Sequence, residues 1–180
     1  MNYLLVEIRE NNILALRHFL LEGPEAWAPL KYELQKDDET AAGYVALLLG
    51  AFSVAVRRKF SSADALADIV RFVAELRIKA EEDAIPLDPL LTEDAIRRAV
   101  DAPPLMKDCE SGDGLTTVLN TKVYVLLHLV AEAEFTKAGL EEFVEDVTTY
   151  TRDWLAAQRP KSPTYFLGDK PDEARTADPR

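Results

Sequence analysis

The sequence predicts an all-α protein with a four-helix core of two antiparallel helical hairpins, about three short flanking helices and a disordered C-terminal tail. Two observations carry this prediction. Two long segments are apolar on nearly every side, as helices surrounded by other helices are. The segment after each of them holds its apolar residues at intervals of three and four, the period of a helix with one buried stripe. Each apolar segment and its successor would form one hairpin of the core.

The uncharged stretch AAGYVALLLGAFSVAV, residues 41–56, is the centre of the predicted fold. Acidic residues stand before it at 37–39 and basic residues follow it at 57–59, and both complement the dipole of a helix. A helix from about Asp38 to Lys59 is therefore predicted, roughly 33 Å long at its normal rise per residue. The apolar run is shorter than the roughly 18 residues of a membrane span, so a core helix is favoured.

Ala42, Ala46 and Gly50 form a strip of small residues on this helix, one at every fourth position. Glycine costs a helix interior up to about 1 kcal/mol against alanine, so Gly43 and Gly50 indicate the close approach of another backbone. That backbone belongs either to the same chain, which we favour, or to a second copy in a homodimer. The small-residue strip is therefore the first predicted interaction surface.

The other helix boundaries follow from caps, prolines and periodicity. The predicted helices run from Asn11 or Asn12 to Gly23, over about 29–36, from the corner at 60–62 to about 80, from a cap at Thr92 to about 101, from about Thr116 to Glu134, and from a cap at Thr136 to Pro160. Residues 105–114 are predicted to form a loop. Residues 161–180 are polar and contain prolines, so we assign 1–160 to one helical domain and 161–180 to a tail.

Two of these helices carry a stripe that we expect to be buried. In the helix after the corner at 60–62, the stripe is Leu66, Ile69, Val70, Val73, Leu76 and Ala80. In the last helix, the stripe is Leu140, Phe143, Val144, Val147, Tyr150, Trp154 and Leu155. The corners that precede these helices, FSSADAL at 60–66 and FTKAGL at 135–140, resemble each other, which is compatible with an internal duplication.

The charge balance argues against several classes of partner. The 180 residues carry a formal net charge of −11, which repels nucleic acid and anionic membrane surfaces.

Cys109 is the one cysteine in the sequence, so there is no disulfide framework. The first residues, MNYLLVEIREN, lack the basic region and cleavage site of a signal peptide, which indicates the cytoplasm. We therefore expect neither nucleic acid nor a membrane as a partner.

Each of the two histidines has a glutamate four residues on: His18 with Glu22, and His128 with Glu132. This spacing puts both groups on one helical face, where they could hold one edge of a metal ion. Di-metal carboxylate bundles carry a different Glu-x-x-His pattern, which is absent here. We therefore treat these four residues as weak metal-ligand candidates and predict no cofactor.

Aromatic side chains on the core helices could line a pocket for a small ligand. These side chains are Tyr44, Phe52, Phe72, Tyr124, Phe143 and Tyr150. Nucleophilic catalysis has less support, because no serine or cysteine lies in a recognisable motif, and the acids at 108 and 110 disfavour the thiolate of Cys109. No catalytic residue is predicted.

We predict a non-catalytic helical module that acts through protein–protein contacts, as an adaptor or scaffold, with self-association as one form of this function. The alternative is an acidic inhibitor or immunity-type protein that neutralises a basic partner, and a third hypothesis is a metal- or small-ligand-binding bundle. The alternative depends on two groups of acids. One is Glu81, Glu82, Asp83, Asp88, Glu93 and Asp94, and the other is Glu141, Glu142, Glu145 and Asp146. Glu81, Glu82, Asp83, Glu141, Glu142 and Glu145 are the predicted interaction residues among them. Together with the small-residue strip, these acids make up the predicted interaction surfaces.

The composition of the tail leads to a truncation test. Deleting residues 161–180 should leave the fold intact, because the apolar island Tyr165–Leu167 is the only part of this segment that could join a core. Chemical unfolding of the full-length and truncated proteins measures the difference. A loss of more than about 2 kcal/mol would mean that the island docks on the helical domain, contrary to the prediction.

Overall fold

The computed structural model describes residues 6–22, 34, 37–60, 65–106 and 112–158, apart from the side chains at 65 and 112–115. Within these ranges the chain forms six helices and no strand, so the predicted all-α class is confirmed. The helices are α1 (Glu10–Glu22), α2 (Asp38–Lys59), α3 (Ala65–Glu82), α4 (Pro89–Ala99), α5 (Gly112–Glu132) and α6 (Lys137–Gln158). The predicted tail, and all but position 34 of the predicted helix at 29–36, lie outside the described residues.

Helix α2 occupies the centre of the fold and packs against α1, α4, α5 and α6. It begins at the predicted position, where the Asp37 carboxylate caps it by accepting a hydrogen bond of 2.6 Å from the Thr40 N–H. It ends with the basic residues 57–59 in its last turn. Among the described helices it alone is long and apolar enough to span a membrane, but 61% of its most apolar window is buried inside the protein. Most of that apolar surface therefore already has a protein partner.

Both glycines of α2 allow another part of the same chain to come close. A Cβ atom on Gly50 would lie 2.0 Å from Thr151 Oγ1 of α6, which is far inside contact distance. A Cβ atom on Gly43 would lie 2.5 Å from the carbonyl oxygen of Glu7 and 2.8 Å from Asn12 Oδ1. No larger residue fits at either position without displacing its neighbours, so packing within the chain accounts for both glycines.

The first turn of α1 is fixed to α2 by Asn12. Asn11 or Asn12 was predicted to cap this helix. Asn12 does not do so, because α1 begins at Glu10 and Asn12 is fully buried in its first turn. Its Oδ1 accepts a hydrogen bond of 3.0 Å from the Arg9 N–H, and its Nδ2 donates one of 2.9 Å to the Thr40 carbonyl. Asn12 thus satisfies one backbone group at the start of each helix, which is why a polar side chain is tolerated here.

Two helices begin earlier than predicted. Asp88, and not Thr92, caps α4: its Oδ1 accepts hydrogen bonds of 2.9 Å from the Leu90 N–H and 3.2 Å from the Leu91 N–H. Pro89 then takes the first helical position, where its missing N–H costs nothing. Helix α5 begins at Gly112 rather than at Thr116, so the predicted loop at 105–114 is shorter than expected.

The buried stripe of α3 is narrower than predicted. Ile69, Val73, Leu76 and Ala80 are buried as expected, whereas Leu66 and Val70 are exposed. Steps of four residues rotate by about 40° around a helix, so a line of such steps leaves the buried side after two or three of them. Helix α3 packs mainly on α4, and it also touches α5 through Phe72, whose ring lies 5.8 Å from that of His128.

Helix α6 agrees with its prediction at its start and departs from it near its end. Thr136 is the cap, because its Oγ1 accepts a hydrogen bond of 3.1 Å from the Gly139 N–H. Phe143, Val147 and Leu155 are buried as the stripe requires. Trp154, in contrast, is only partly buried. The predicted buried stripe is therefore incomplete near the C-terminal end of α6.

The contact between α2 and α6 generates a test of packing. Gly50→Ala should lower the free energy of unfolding by about 1–3 kcal/mol, because the added methyl group overlaps Thr151 Oγ1. In a Thr151→Ala background the same change should be neutral or stabilising. The nearest remaining side-chain atom would then be the Cβ at 3.2 Å, and alanine is the better helix former. Urea unfolding of the four proteins measures both effects.

Gly139→Ala is the matched control, since a Cβ atom there would meet nothing closer than Thr136 Oγ1 at 3.3 Å. It should change stability far less than Gly50→Ala does. Equal effects of Gly50→Ala in the two backgrounds would show that Thr151 does not limit the space at position 50.

Candidate functional site

The small-residue strip lies largely against the protein's own chain. Ala46 is buried in a cluster with Val6 and Leu155, which come from opposite ends of the described sequence. Gly50 is covered by Thr151, and Ala42 is partly buried beside the same cluster. A second copy would have to displace these neighbours to reach Ala46 or Gly50. The strip is thus a site of internal packing in this structure.

The two groups of predicted interacting acids lie on the surfaces of α3 and α6. In the first group, Glu81 pairs with Arg77 at 3.0 Å, and Asp83 accepts a hydrogen bond of 3.4 Å from the Tyr124 hydroxyl. In the second group, Glu141 pairs with Arg17 at 2.7 Å. The other three acids, Glu82, Glu142 and Glu145, are exposed. Part of each group therefore serves contacts within the protein.

The two predicted histidine–glutamate pairs differ in their surroundings. His18 Nδ1 lies 3.2 Å from Glu22 Oε1 on the surface of α1. His128 Nε2 instead lies 3.4 Å from the Lys79 ammonium, while Glu132 forms an ion pair with Lys59. Burial and the nearby Lys79 both lower the pKa of His128. In the part of the chain that the structure describes, no three potential metal ligands come together.

A cleft of about 390 Å³ opens where α2, α4, α5 and α6 meet. Its wall combines small residues, large aromatic rings and positive charges, and only one carboxylate lines it. The residues that matter for its chemistry are Phe52, Arg57, Arg98, Asp101, Lys122, Tyr150 and Trp154. Because three cations and one acid lie here, the cleft is locally positive in a protein whose net charge is strongly negative.

Lys122 is the cation of this cleft that lacks a carboxylate. It projects from the middle of α5, and its Nζ lies 5.5 Å from the centre of the Phe52 ring, a distance at which cation and ring attract. It forms no ion pair or hydrogen bond with any residue that the structure describes. Burial lowers the pKa of Lys122, and the positive charge of Arg98 lowers it further, while Asp94 acts in the opposite direction.

Asp94 holds Arg98 at the wall of the cleft. Its Oδ2 lies 2.6 Å from Arg98 Nε, and its Oδ1 accepts hydrogen bonds of 2.6 Å from the Leu105 N–H and 2.9 Å from the Met106 N–H. Burial alone would raise the pKa of this carboxyl, but the hydrogen bonds and the charge of Arg98 lower it overall. Arg98 in turn donates to the Met106 carbonyl at 2.5 Å, so the chain after α4 is fastened to α4 by one carboxylate.

The sequence had indicated only part of this cleft. Phe52 and Tyr150 belong to the aromatic set that could line a pocket, and both line this cleft. Lys122 and Arg98 were not identified as site residues. The available signal was Lys122 itself, a single charge within the apolar run from Val118 to Val130. A lysine in such a run must reach either solvent or a polar cleft.

Comparison of the chain with protein-family models, with curated proteins and with solved structures finds no match. Its function is therefore argued from its own geometry.

Asp94 gives a test that depends on pH. Because its pKa is lower in the folded than in the unfolded protein, its contribution to stability is present above the unfolded pKa of about 3.9 and is lost as pH falls through the folded pKa. Asp94→Asn should reduce the free energy of unfolding by about 1–3 kcal/mol at neutral pH, and by progressively less in acid. Urea unfolding between neutral and strongly acidic pH measures this.

Asp101→Asn is the matched control, because Asp101 pairs with Arg57 through a side chain that is 77% exposed. An exposed pair of this kind contributes roughly 0–1 kcal/mol. If Asp94→Asn costs no more than Asp101→Asn, or if its cost does not change with pH, the buried carboxylate does not fasten the chain as described.

Proposed function

We propose that the protein is a non-catalytic helical interaction module that associates with a second copy of itself through the outer face of α3. The observation that carries this proposal is a line of exposed apolar residues, Leu66, Val70, Ala74 and Ile78, which we call the α3 ridge. Leu66, Val70 and Ile78 are 44%, 49% and 58% exposed. Single exposed apolar residues are ordinary, but four at successive intervals of four residues form a continuous ridge.

The geometry of the α3 ridge suits a copy of itself. Ridges formed by steps of four residues interdigitate best with ridges of the same kind, at a crossing angle of about −50°. A two-fold symmetric interface brings the same patch of both molecules together, so it needs a surface that is complementary to itself. The α3 ridge provides apolar side chains separated by the gap at Ala74, into which a larger side chain of the second copy fits.

The charges beside the ridge are also complementary to themselves. Arg71 and Glu75 lie on the same edge of the exposed face. In an antiparallel crossing centred near Val73, Arg71 of each copy faces Glu75 of the other, which forms two ion pairs by symmetry. Arg71 has only a 3.6 Å contact with Asp68, and Glu75 forms no ion pair within the described part of the protein. Both are exposed and can form the intermolecular pairs.

The finer architecture remains part of this proposal. We propose that α2 with α3 and α5 with α6 are the two antiparallel hairpins of a four-helix core. The packing of α2 on α5 and α6 supports the core, and the four residues that connect α5 to α6 support the second hairpin, although neither proposed hairpin has extensive contact between its own two helices. A single domain over 1–160, a polar tail over 161–180 and a cytoplasmic location remain predictions from the sequence.

Inhibition of a basic partner by charge is a second candidate. Its support is that Glu82, Glu142 and Glu145 are exposed and form no ion pair with other residues described by the structure. The two candidates respond differently to salt. Binding through exposed acids weakens as salt screens the charges, whereas association through an apolar ridge changes little.

Ile78→Arg tests the proposed dimer. It should convert the protein to a monomer without loss of helix content, because a charge would enter the apolar contact near its end while its side chain remains in water in the monomer. Sedimentation equilibrium measures the mass of both proteins. Leu21→Arg is the matched control, since Leu21 is 53% exposed on α1 and should leave the dimer unchanged.

Charge reversal separates this interface from other ways of forming a dimer. Arg71→Glu and Glu75→Arg should each weaken dimerisation by about threefold to tenfold, because like charges then face each other twice. The double variant should restore the dimer by exchanging the two partners. A wild-type protein that stays monomeric at the highest accessible concentration, or a double variant weaker than both single ones, would contradict the proposed interface.

A further inference from the structure

We propose that the cleft between α2, α4, α5 and α6 binds a small carboxylic acid anion with an apolar body, and that the carboxylate of this ligand pairs with Lys122. The proposal concerns a different surface from the α3 ridge and does not depend on self-association.

The size and lining of the cleft match those of a ligand site. Its volume of about 390 Å³ falls within the range of roughly 300–1,000 Å³ that holds small molecules in proteins. Such sites are mostly apolar and aromatic, with a few polar groups that orient the ligand. Here Phe52, Tyr150 and Trp154 supply aromatic surface, and the small residues Ala95 and Ala99 leave the space open.

Lys122 determines the charge of the ligand. A cation that is largely removed from water without a carboxylate is unfavourable, and an anion in the cleft would offset that cost. The Lys122 ammonium lies over the Phe52 ring, at the wall of the cleft. In the described part of the free protein Lys122 therefore forms no ion pair, at the place where a ligand carboxylate could pair with it.

The other two cations of the cleft already have acceptors, so a single negative charge is sufficient. Arg98 is held by Asp94 and by the Met106 carbonyl. Arg57 pairs with Asp101 at 2.9 Å, and both side chains are exposed at the edge of the cleft. A dianion such as a phosphate monoester would require Arg57 or Arg98 to leave its partner. The arrangement thus favours a monocarboxylate.

The aromatic part of the wall determines the rest of the ligand. Phe52 lies under the Lys122 ammonium, and Tyr150 and Trp154 come from the last turns of α6. Trp154 was expected to be buried in the core stripe; it packs on a core cluster but is only partly buried, and it lines this cleft. Flat aromatic or short aliphatic groups of a ligand would contact the partly exposed rings of Tyr150 and Trp154 and remove them from water. A carboxylate without such a body would gain only the ion pair.

Isothermal titration calorimetry with matched pairs of probes tests the proposal. The probes are benzoate, phenylacetate, hexanoate and naphthalene-2-carboxylate, each compared with its neutral primary amide, with phenyl phosphate as the dianion. At least one carboxylate should bind the full-length protein with a dissociation constant below about 1 mM, and at least tenfold more tightly than its amide. Phenyl phosphate should bind more weakly than benzoate.

Lys122→Met removes the charge and keeps the stem. It should abolish the preference for carboxylate over amide, while the amide binds as before. The variant should fold at least as well as the wild type, because a desolvated charge has been removed, and thermal unfolding checks this. Lys137→Met is the matched control, since Lys137 lies exposed at the start of α6 and its loss changes the net charge equally.

Three outcomes would overturn the proposal. The first is that none of the four carboxylates binds below about 1 mM, which would mean that the cleft is not a site for this class. The second is equal binding of carboxylate and amide by the wild-type protein. The third is a folded Lys122→Met protein that retains the preference, or a Lys137→Met protein that loses it, because net charge would then explain the binding.

Discussion

The burial of α2 on several sides is the constraint on which the rest of the structure depends. Four other helices pack against it, and two of the contacts are closer than any side chain at the contact point would allow. Gly50 admits Thr151 of α6, and Gly43 admits the backbone of Glu7. The Thr151 hydroxyl cannot easily turn away, because it donates a hydrogen bond of 2.7 Å to the Val147 carbonyl. The close approach of α6 to α2 therefore depends on the absence of a side chain at Gly50.

Features of the sequence that act over a few residues were predictable. The acids and bases that flank α2, and the Thr136 cap of α6, stabilise helix ends through local backbone groups and are visible in the sequence. The start of α4 was predicted too late because threonine is a common cap residue, which favoured Thr92 as the cap. In the structure Thr92 lies inside the helix, where it is buried and its hydroxyl donates a hydrogen bond of 2.7 Å to the Asp88 carbonyl. Local preference allowed two starts, and the sequence Asp88-Pro89 decided between them.

Features that depend on which helices meet could not be predicted in the same way. The periodicity of α3 includes Leu66 and Val70 in one stripe, but only tertiary packing determines how wide a face is covered. The same limit applies to the cleft. Phe52 on α2, Lys122 on α5 and Tyr150 on α6 are far apart in the sequence, and their proximity follows from the packing of three helices. Even so, a single lysine in an apolar run indicates that solvent or a polar cleft lies beside that part of the helix.

The net charge of the protein and the local charge of the cleft affect the binding of different ligands. A net charge of −11 disfavours long polyanions, which meet the whole surface at once. A small anion that enters a cleft meets mainly the groups within a Debye length, about 8 Å at physiological ionic strength. Around this cleft those groups are Lys122, Arg98 and Arg57 together with two acids, Asp94 and Asp101, which are already paired with Arg98 and Arg57. Overall acidity is therefore compatible with local selectivity for an anion.

The arrangement around α2 has a consequence for folding during synthesis. Ala46 is buried in one cluster with Val6 and Leu155, so the central helix is not fully covered until the last helix has been made. Roughly a hundred residues separate the end of α2 from Leu155, and a ribosome that adds roughly 5–20 residues per second needs roughly 5–20 s to translate them. During that interval the uncharged segment 41–56 first lacks both α5 and α6 and then, once α5 has been made, lacks α6 alone. The nascent chain is therefore most exposed to aggregation and to chaperone binding between the completion of α2 and the emergence of α6.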